Sequence, residues 1–125
     1  MVLIKPSHYD DDGYPIQWFR SAIPSNTLAV MYGLALECKQ RKVLGDDVDI
    51  EVSALDETNT RVRPDRIARR LRGGRGMVAL VGVQSNQYPR AMDLARRFRA
   101  AASRYAWAGF TFPACSRCCP RSRRS

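Results

Sequence analysis

The chain has 125 residues, of which 45% are hydrophobic and 26% charged. This is the composition of an ordinary soluble globular protein, of a length for one domain, and not of a bulk-disordered chain. No run of 18 apolar residues occurs, so no transmembrane helix is expected. Lys plus Arg number 21 against 12 Asp plus Glu, a balance of +9, but residues 1–100 carry only +4 and residues 101–125, with five Arg and no acid, carry +5. Three of the four cysteines (Cys115, Cys118, Cys119) share that last stretch.

The opening Met-Val-Leu-Ile-Lys-Pro turns acidic within a few residues and does not read as a secretory signal or transit peptide, so the cytoplasm is the expected location. Met1 to Ile4 is a short apolar run suited to a buried first strand. A helix is expected from Ser25 or Asn26, whose side-chain oxygens can cap a first turn. Leu28, Met31, Tyr32 and Ala35 recur at helical spacing, Lys39, Arg41 and Lys42 suit the negative helix pole, and Gly45 offers a stop. Asp46-Asp47 makes a turn, and Asp49 to Leu55 alternates, with Ile50, Val52 and Ala54 on one face of a second strand. Pro64 opens a second helix with Ile67 and Leu71 inward, ended by Gly73-Gly74. Met77 to Val83 is apolar on both faces, as a central parallel strand covered on both sides must be. Pro89 opens a third helix with Ala91, Leu94, Ala95 and Phe98 in one stripe.

Alternation of strand and helix implies a parallel sheet with covering helices. The expected fold class is therefore α/β: a three-layer Rossmann-like or flavodoxin-like half-sheet, strand order 2-1-3, with right-handed crossovers. Ligands of such sheets bind at the carboxyl ends of the strands, where the order reverses. The loops at that edge are 7–24, 56–63 and 84–88. The first is long for a compact domain and carries His8, Tyr9, Asp10, Asp11, Asp12, Tyr14, Trp18 and Phe19.

Beyond residue 102 the expected fourth apolar strand gives way to Ser103-Arg104-Tyr105-Ala106-Trp107-Ala108-Gly109-Phe110 and then to a stretch rich in Arg, Ser, Pro and Cys. Back-translation from Ala102 with a shift of one nucleotide permits Gly-Ile-Pro-Val-Arg-Val-Gly-Gly-Phe-His-Val-Ser-Gly-Leu, an apolar strand followed by a glycine turn. Residues 1–102 are accordingly read as an incomplete α/β domain. Residues 103–125 are read as an irregular basic tail decoded out of frame.

The shifted string resembles the fourth-strand turn of cobalamin-binding-type domains that precede a radical S-adenosylmethionine (radical SAM) barrel. In frame, Ile4-Lys5-Pro6-Ser7 is similar to that family's opening strand and turn. Ile23-Pro24-Ser25-Asn26-Thr27-Leu28-Ala29 with Tyr32-Gly33-Leu34-Ala35 is similar to its first helix. Leu55-Asp56-Glu57-Thr58-Asn59 and Val81-Gly82-Val83-Gln84-Ser85-Asn86-Gln87 are similar to its second and third strand ends. The resemblance implies a cobalamin-holding N-terminal fragment. S-adenosylmethionine and the 4Fe-4S cluster would belong only to a barrel that this chain lacks, because no Cys-x3-Cys-x2-Cys motif is present. Nor is the Asp-x-His-x-x-Gly motif of histidine-ligated cobalamin domains, since Pro6 and Asp11 stand at those places around His8.

The candidate cofactor-binding residues are Ser7, His8, Asp56, Glu57, Gln84, Ser85 and Asn86; no catalytic residue and no protein-held metal is expected. Gln84, Ser85 and Asn86 follow a buried strand, where polar donors meet a ligand or cap a helix. Asp56 and Glu57 stand where an acid can take ribose hydroxyls. His8 is a cobalt ligand or a loop hydrogen-bonder, and Asp10 to Asp12 a cation site or a solvated turn. Gly73-Gly74-Arg75-Gly76 follows a helix and so cannot cradle phosphate on a helix N-terminus. Cys115, Cys118 and Cys119 with Cys38 make poor tetrahedral zinc geometry. The alternative function is a small basic nucleic-acid-binding protein using the seven arginines between Arg61 and Arg75 and the arginine-rich tail.

Overall fold

A computed structural model describes residues 1–18, 25–71 and 76–101, together with the backbone of 104–109. In chain order the elements are β1 (Val2–Lys5), α1 (Asn26–Gln40), β2 (Ser53–Asp56), α2 (Pro64–Leu71), β3 (Met77–Val83), a 3-10 turn (Ser85–Gln87), α3 (Tyr88–Ala100) and β4 (Arg104–Gly109). β2 pairs parallel with β1 and β1 parallel with β3, which is the expected 2-1-3 order of a Rossmann-like α/β sheet. The end of α2 at Gly73-Gly74, Phe19 of the first loop and the three tail cysteines lie outside the described residues.

The two faces of the sheet are filled by alternate residues. Val2, Ile4, Val78 and Leu80 point to one face, where Ala68 of α2 and Ala91, Leu94, Ala95 and Phe98 of α3 close over them. Leu3, Ala79 and Val81 point to the other, under Leu28 of α1, with Met31 and Tyr32 packed alongside. The period-2 strand and the helical stripe are thus two halves of one packing solution. Ser25 caps α1 as expected, its side chain accepting from the Leu28 N–H at 3.3 Å.

Three expectations need correction. α1 stops at Gln40, ahead of Gly45, because Lys42 takes a left-handed backbone (φ 48°) and closes the turn itself. The second strand begins at Ser53, not Asp49. Ala54 is exposed and Leu55, not Ala54, packs on the α2/α3 core, so the inward face is one residue out of phase with the sequence pattern. β2 is an edge strand, and at an edge alternation of acids with apolar residues is weak guidance to register. The third concerns the segment from 103, expected to be irregular. Arg104–Gly109 runs parallel to β3, Met77 opposite Arg104 and Leu80 opposite Trp107. The stretch Tyr105-Ala106-Trp107-Ala108 has enough strand propensity to pair with an edge that α3 delivers it to.

β3 contains one irregularity that matters for packing. Its register with β4 shifts between Val81 and Val83, and Gly82 adopts φ +64°. The bulge reverses the pleat, so that Val83 joins the same face as Val78 and Leu80. A Cβ built on Gly82 would stand 3.3 Å from the Thr27 Cβ of α1. Both the left-handed backbone and the close helix demand glycine. Gly82→Ala is expected to lower stability by about 1–3 kcal/mol, read as a lower urea midpoint at unchanged slope.

Candidate functional site

The carboxyl ends of β1, β2 and β3 bring all seven candidate residues to one edge of the sheet, but into two different environments. Ser7 and Glu57 are buried, at 0% and 1% exposure. The Glu57 carboxylate accepts from the Ser7 N–H through Oε2 at 3.1 Å, and its own N–H donates to the Lys5 carbonyl at 3.0 Å. A buried carboxylate needs a cation, and Arg90 in the first turn of α3 supplies it. Its Nε lies 3.1 Å from both Glu57 oxygens and its Nη2 lies 2.5 Å from Oε1. This forked pairing is the strongest geometry an ion pair adopts.

Arg90 also serves the first loop. Its Nη1 donates to the Tyr9 hydroxyl at 3.3 Å, and the guanidinium sits 5.7 Å from the centre of the Tyr9 ring. The Tyr9 hydroxyl in turn donates to Asp93 Oδ2 at 2.5 Å. Burial, then the Asp93 hydrogen bond, pushes the Tyr9 hydroxyl above its ordinary pKa despite Arg90. For Arg90, burial opposes the charged form, and the hydrogen bonds and charge of Glu57 and Tyr9 outweigh it, so the guanidinium is held more firmly protonated than usual.

The loop after β1 is a hairpin. Tyr9 bridges Pro15, the Asp10 N–H donates to the Tyr14 carbonyl, and the Ile16 N–H donates to the His8 carbonyl at 2.9 Å. Asp10 Oδ1 accepts from the N–H groups of Asp12 and Tyr14, and Gly13 takes φ +84°, so the three acids form a tight exposed turn. The Ser7 hydroxyl donates to the Ile16 carbonyl, and the Trp18 N–H reaches the Thr58 carbonyl at 2.6 Å. His8 is half-buried, and its ring has no partner among the described residues.

Asp56 is likewise used locally. Its Oδ1 accepts from the Thr58 N–H (3.0 Å) and hydroxyl (2.6 Å), while Oδ2 lies 3.7 Å from Lys5 Nζ. Gln84, Ser85 and Asn86 are exposed on the 3-10 turn that joins β3 to α3. The turn is closed by a capping box: the buried Gln87 side chain accepts from the Gln84 N–H at 3.0 Å, and the Gln84 side chain reaches back to the Gln87 N–H.

Arg90 and Asp93 are the functional-looking residues that sequence reasoning missed. One signal for them exists: α3 has no acid in its first turn and carries a cation there instead. That placement opposes the helix dipole and calls for a compensating partner.

The arginines of α2 behave as a solvated face. Arg66, Arg69 and Arg70 are exposed, Ala68 is buried, and Arg70 pairs with Glu51. Among the described residues no group of three or more His, Cys, Asp or Glu could hold a metal ion, and no buried side-chain polar atom lacks a partner. No described helix is long and apolar enough to cross a membrane. No family model, no curated protein and no solved structure matches the chain.

The donor set permits a test of the cofactor implied by the sequence. A corrin ring is rimmed with neutral amides, which neutral amide and hydroxyl side chains complement. Gln84, Ser85 and Asn86 fit that chemistry and are exposed to meet it. Ser7 and Glu57 do not, because each is buried and already bonded within the protein.

Proposed function

We propose that the chain is a corrinoid-binding-type α/β domain of the kind that precedes a radical SAM barrel, working in the cytoplasm. The observation that carries the reading is the strand order: β1 and β3 part in opposite directions at the carboxyl edge, the crevice where sheets of this kind hold ligands. The motif resemblance of residues 1–102 gives the ligand class. Gln84, Ser85 and Asn86 would hold the amide rim, His8 would stand beside it, and Asp56 would keep the β2 loop in shape. A bound corrinoid supplies a cobalt centre able to carry an alkyl group. The contribution of these residues is to bind and orient it, and the radical chemistry would belong to an iron–sulfur barrel.

The test is retention of hydroxocobalamin by the full chain in equilibrium dialysis, followed by corrin absorbance. Stoichiometric retention is expected, weakened at least about tenfold when Gln84, Ser85 and Asn86 are all changed to alanine, the loss of two or so hydrogen bonds. Retention that ignores those three residues, or none at all, overturns the reading. Salt-sensitive retention of a polynucleotide in its place would favour the basic nucleic-acid-binding alternative.

A further inference from the structure

We propose that the Tyr9–Pro15 hairpin is a strap, latched by Tyr9 onto α3, that opens as a unit and uncovers Ser7 and Glu57. The latch is made of side chains from outside the hairpin. Asp93 accepts the Tyr9 hydroxyl, and Arg90 holds the same hydroxyl and the ring face from the other side. The base is held by the Ser7 hydroxyl on the Ile16 carbonyl and by the Trp18 N–H on the Thr58 carbonyl. Beyond these the strap has little to keep it down: Asp10 through Tyr14 are exposed, and no residue from 9 to 16 belongs to the buried core. A segment with few buried apolar contacts opens at lower free energy than the sheet beneath it.

The consequence concerns the two buried candidate residues. Ser7 and Glu57 sit at the carboxyl ends of β1 and β2; Glu57 accepts from the Ser7 N–H and pairs with Arg90. Arg90 is shared between Glu57 and Tyr9, so loss of the Tyr9 latch loosens the cover over the Glu57 pair. The closed strap therefore occupies the part of the ligand edge that the sequence pattern assigns to binding. That the uncovered crevice admits a corrinoid rests on the function proposed above; the existence of the strap does not.

Amide hydrogen exchange on the full chain tests it, with increasing urea and with Tyr9→Phe and Asp93→Asn. The amides of Ser7 and Trp18, whose acceptors Glu57 and Thr58 lie outside the hairpin, are expected to share one opening with little urea dependence, faster than those of Val78 to Val81, while the Asp10 and Ile16 amides, bonded within the hairpin, stay more protected than those two. Each substitution is expected to speed that opening roughly fivefold to tenfold, the loss of one charge-assisted hydrogen bond. The strap fails if the Ser7 and Trp18 amides exchange only with β3, at the same rate and urea slope, or if Tyr9→Phe leaves their rates unchanged. A strap that opens on a chain that retains no hydroxocobalamin upholds this proposal and sinks the corrinoid reading alone.

Discussion

Replacing Glu57 with alanine is expected to cost about 3–5 kcal/mol, the penalty of leaving a buried charge without its partner. The structural reason is that Arg90 is only 12% exposed at its side chain and, among the described residues, meets a second carboxylate only through the Tyr9 hydroxyl. A domain of this size has a total stability of roughly 5–15 kcal/mol, so the loss is a large share of it and the urea midpoint should fall sharply. Removing both charges in Glu57→Ala/Arg90→Met should recover part of the loss and leave a deficit of about 1–3 kcal/mol. What remains is the Ser7 N–H, which loses its acceptor in a buried place. Urea unfolding of the two single variants and the double variant gives the coupling directly. A double variant no more stable than Glu57→Ala would mean that Arg90 is solvated well enough to stand alone.

The same pair shows where sequence reasoning stops. Glu57 was legible as an acid following a strand, and that position suggested ribose or ligand contact. Its actual use depends on Arg90, 33 residues away, and nothing in the local pattern of either residue announces the other. The cation in the first turn of α3 was a readable anomaly, because it breaks the helix-dipole preference without local compensation. Strongly periodic features fared differently. Met77–Val83 is apolar on both faces and is the central strand; Ala91, Leu94, Ala95 and Phe98 are all buried as their spacing requires. These patterns survive because burial on a face leaves few alternatives. At the edge strand β2 both faces are only partly covered, so Asp49 to Leu55 could alternate without fixing which residue points inward. The β3 bulge was hidden for a further reason: Val81-Gly82-Val83 reads as an unbroken strand, and only the left-handed backbone of Gly82 and the nearness of Thr27 show why a glycine interrupts it.

The second large effect is expected at Phe98. Its side chain is fully buried between α3 and the sheet, in the cluster formed by Val2, Ile4, Val78, Leu80 and Leu94. Phe98→Ala removes the ring and leaves a cavity that α3 cannot collapse into, because Ala91, Leu94 and Ala95 hold the helix at its present height. The expected loss is about 3–5 kcal/mol. Val30→Ala and Leu34→Ala on the outer side of α1 provide the contrast. These side chains are 60% and 51% exposed, so each change should stay within about 0.5 kcal/mol. The comparison separates two accounts of what stabilises the domain. If the α2/α3 face of the sheet is the principal core, thermal unfolding moves sharply down for Phe98→Ala and barely for the α1 variants. Comparable shifts in all three would instead mean that the outer face of α1 is covered in solution and shares the stabilising burial.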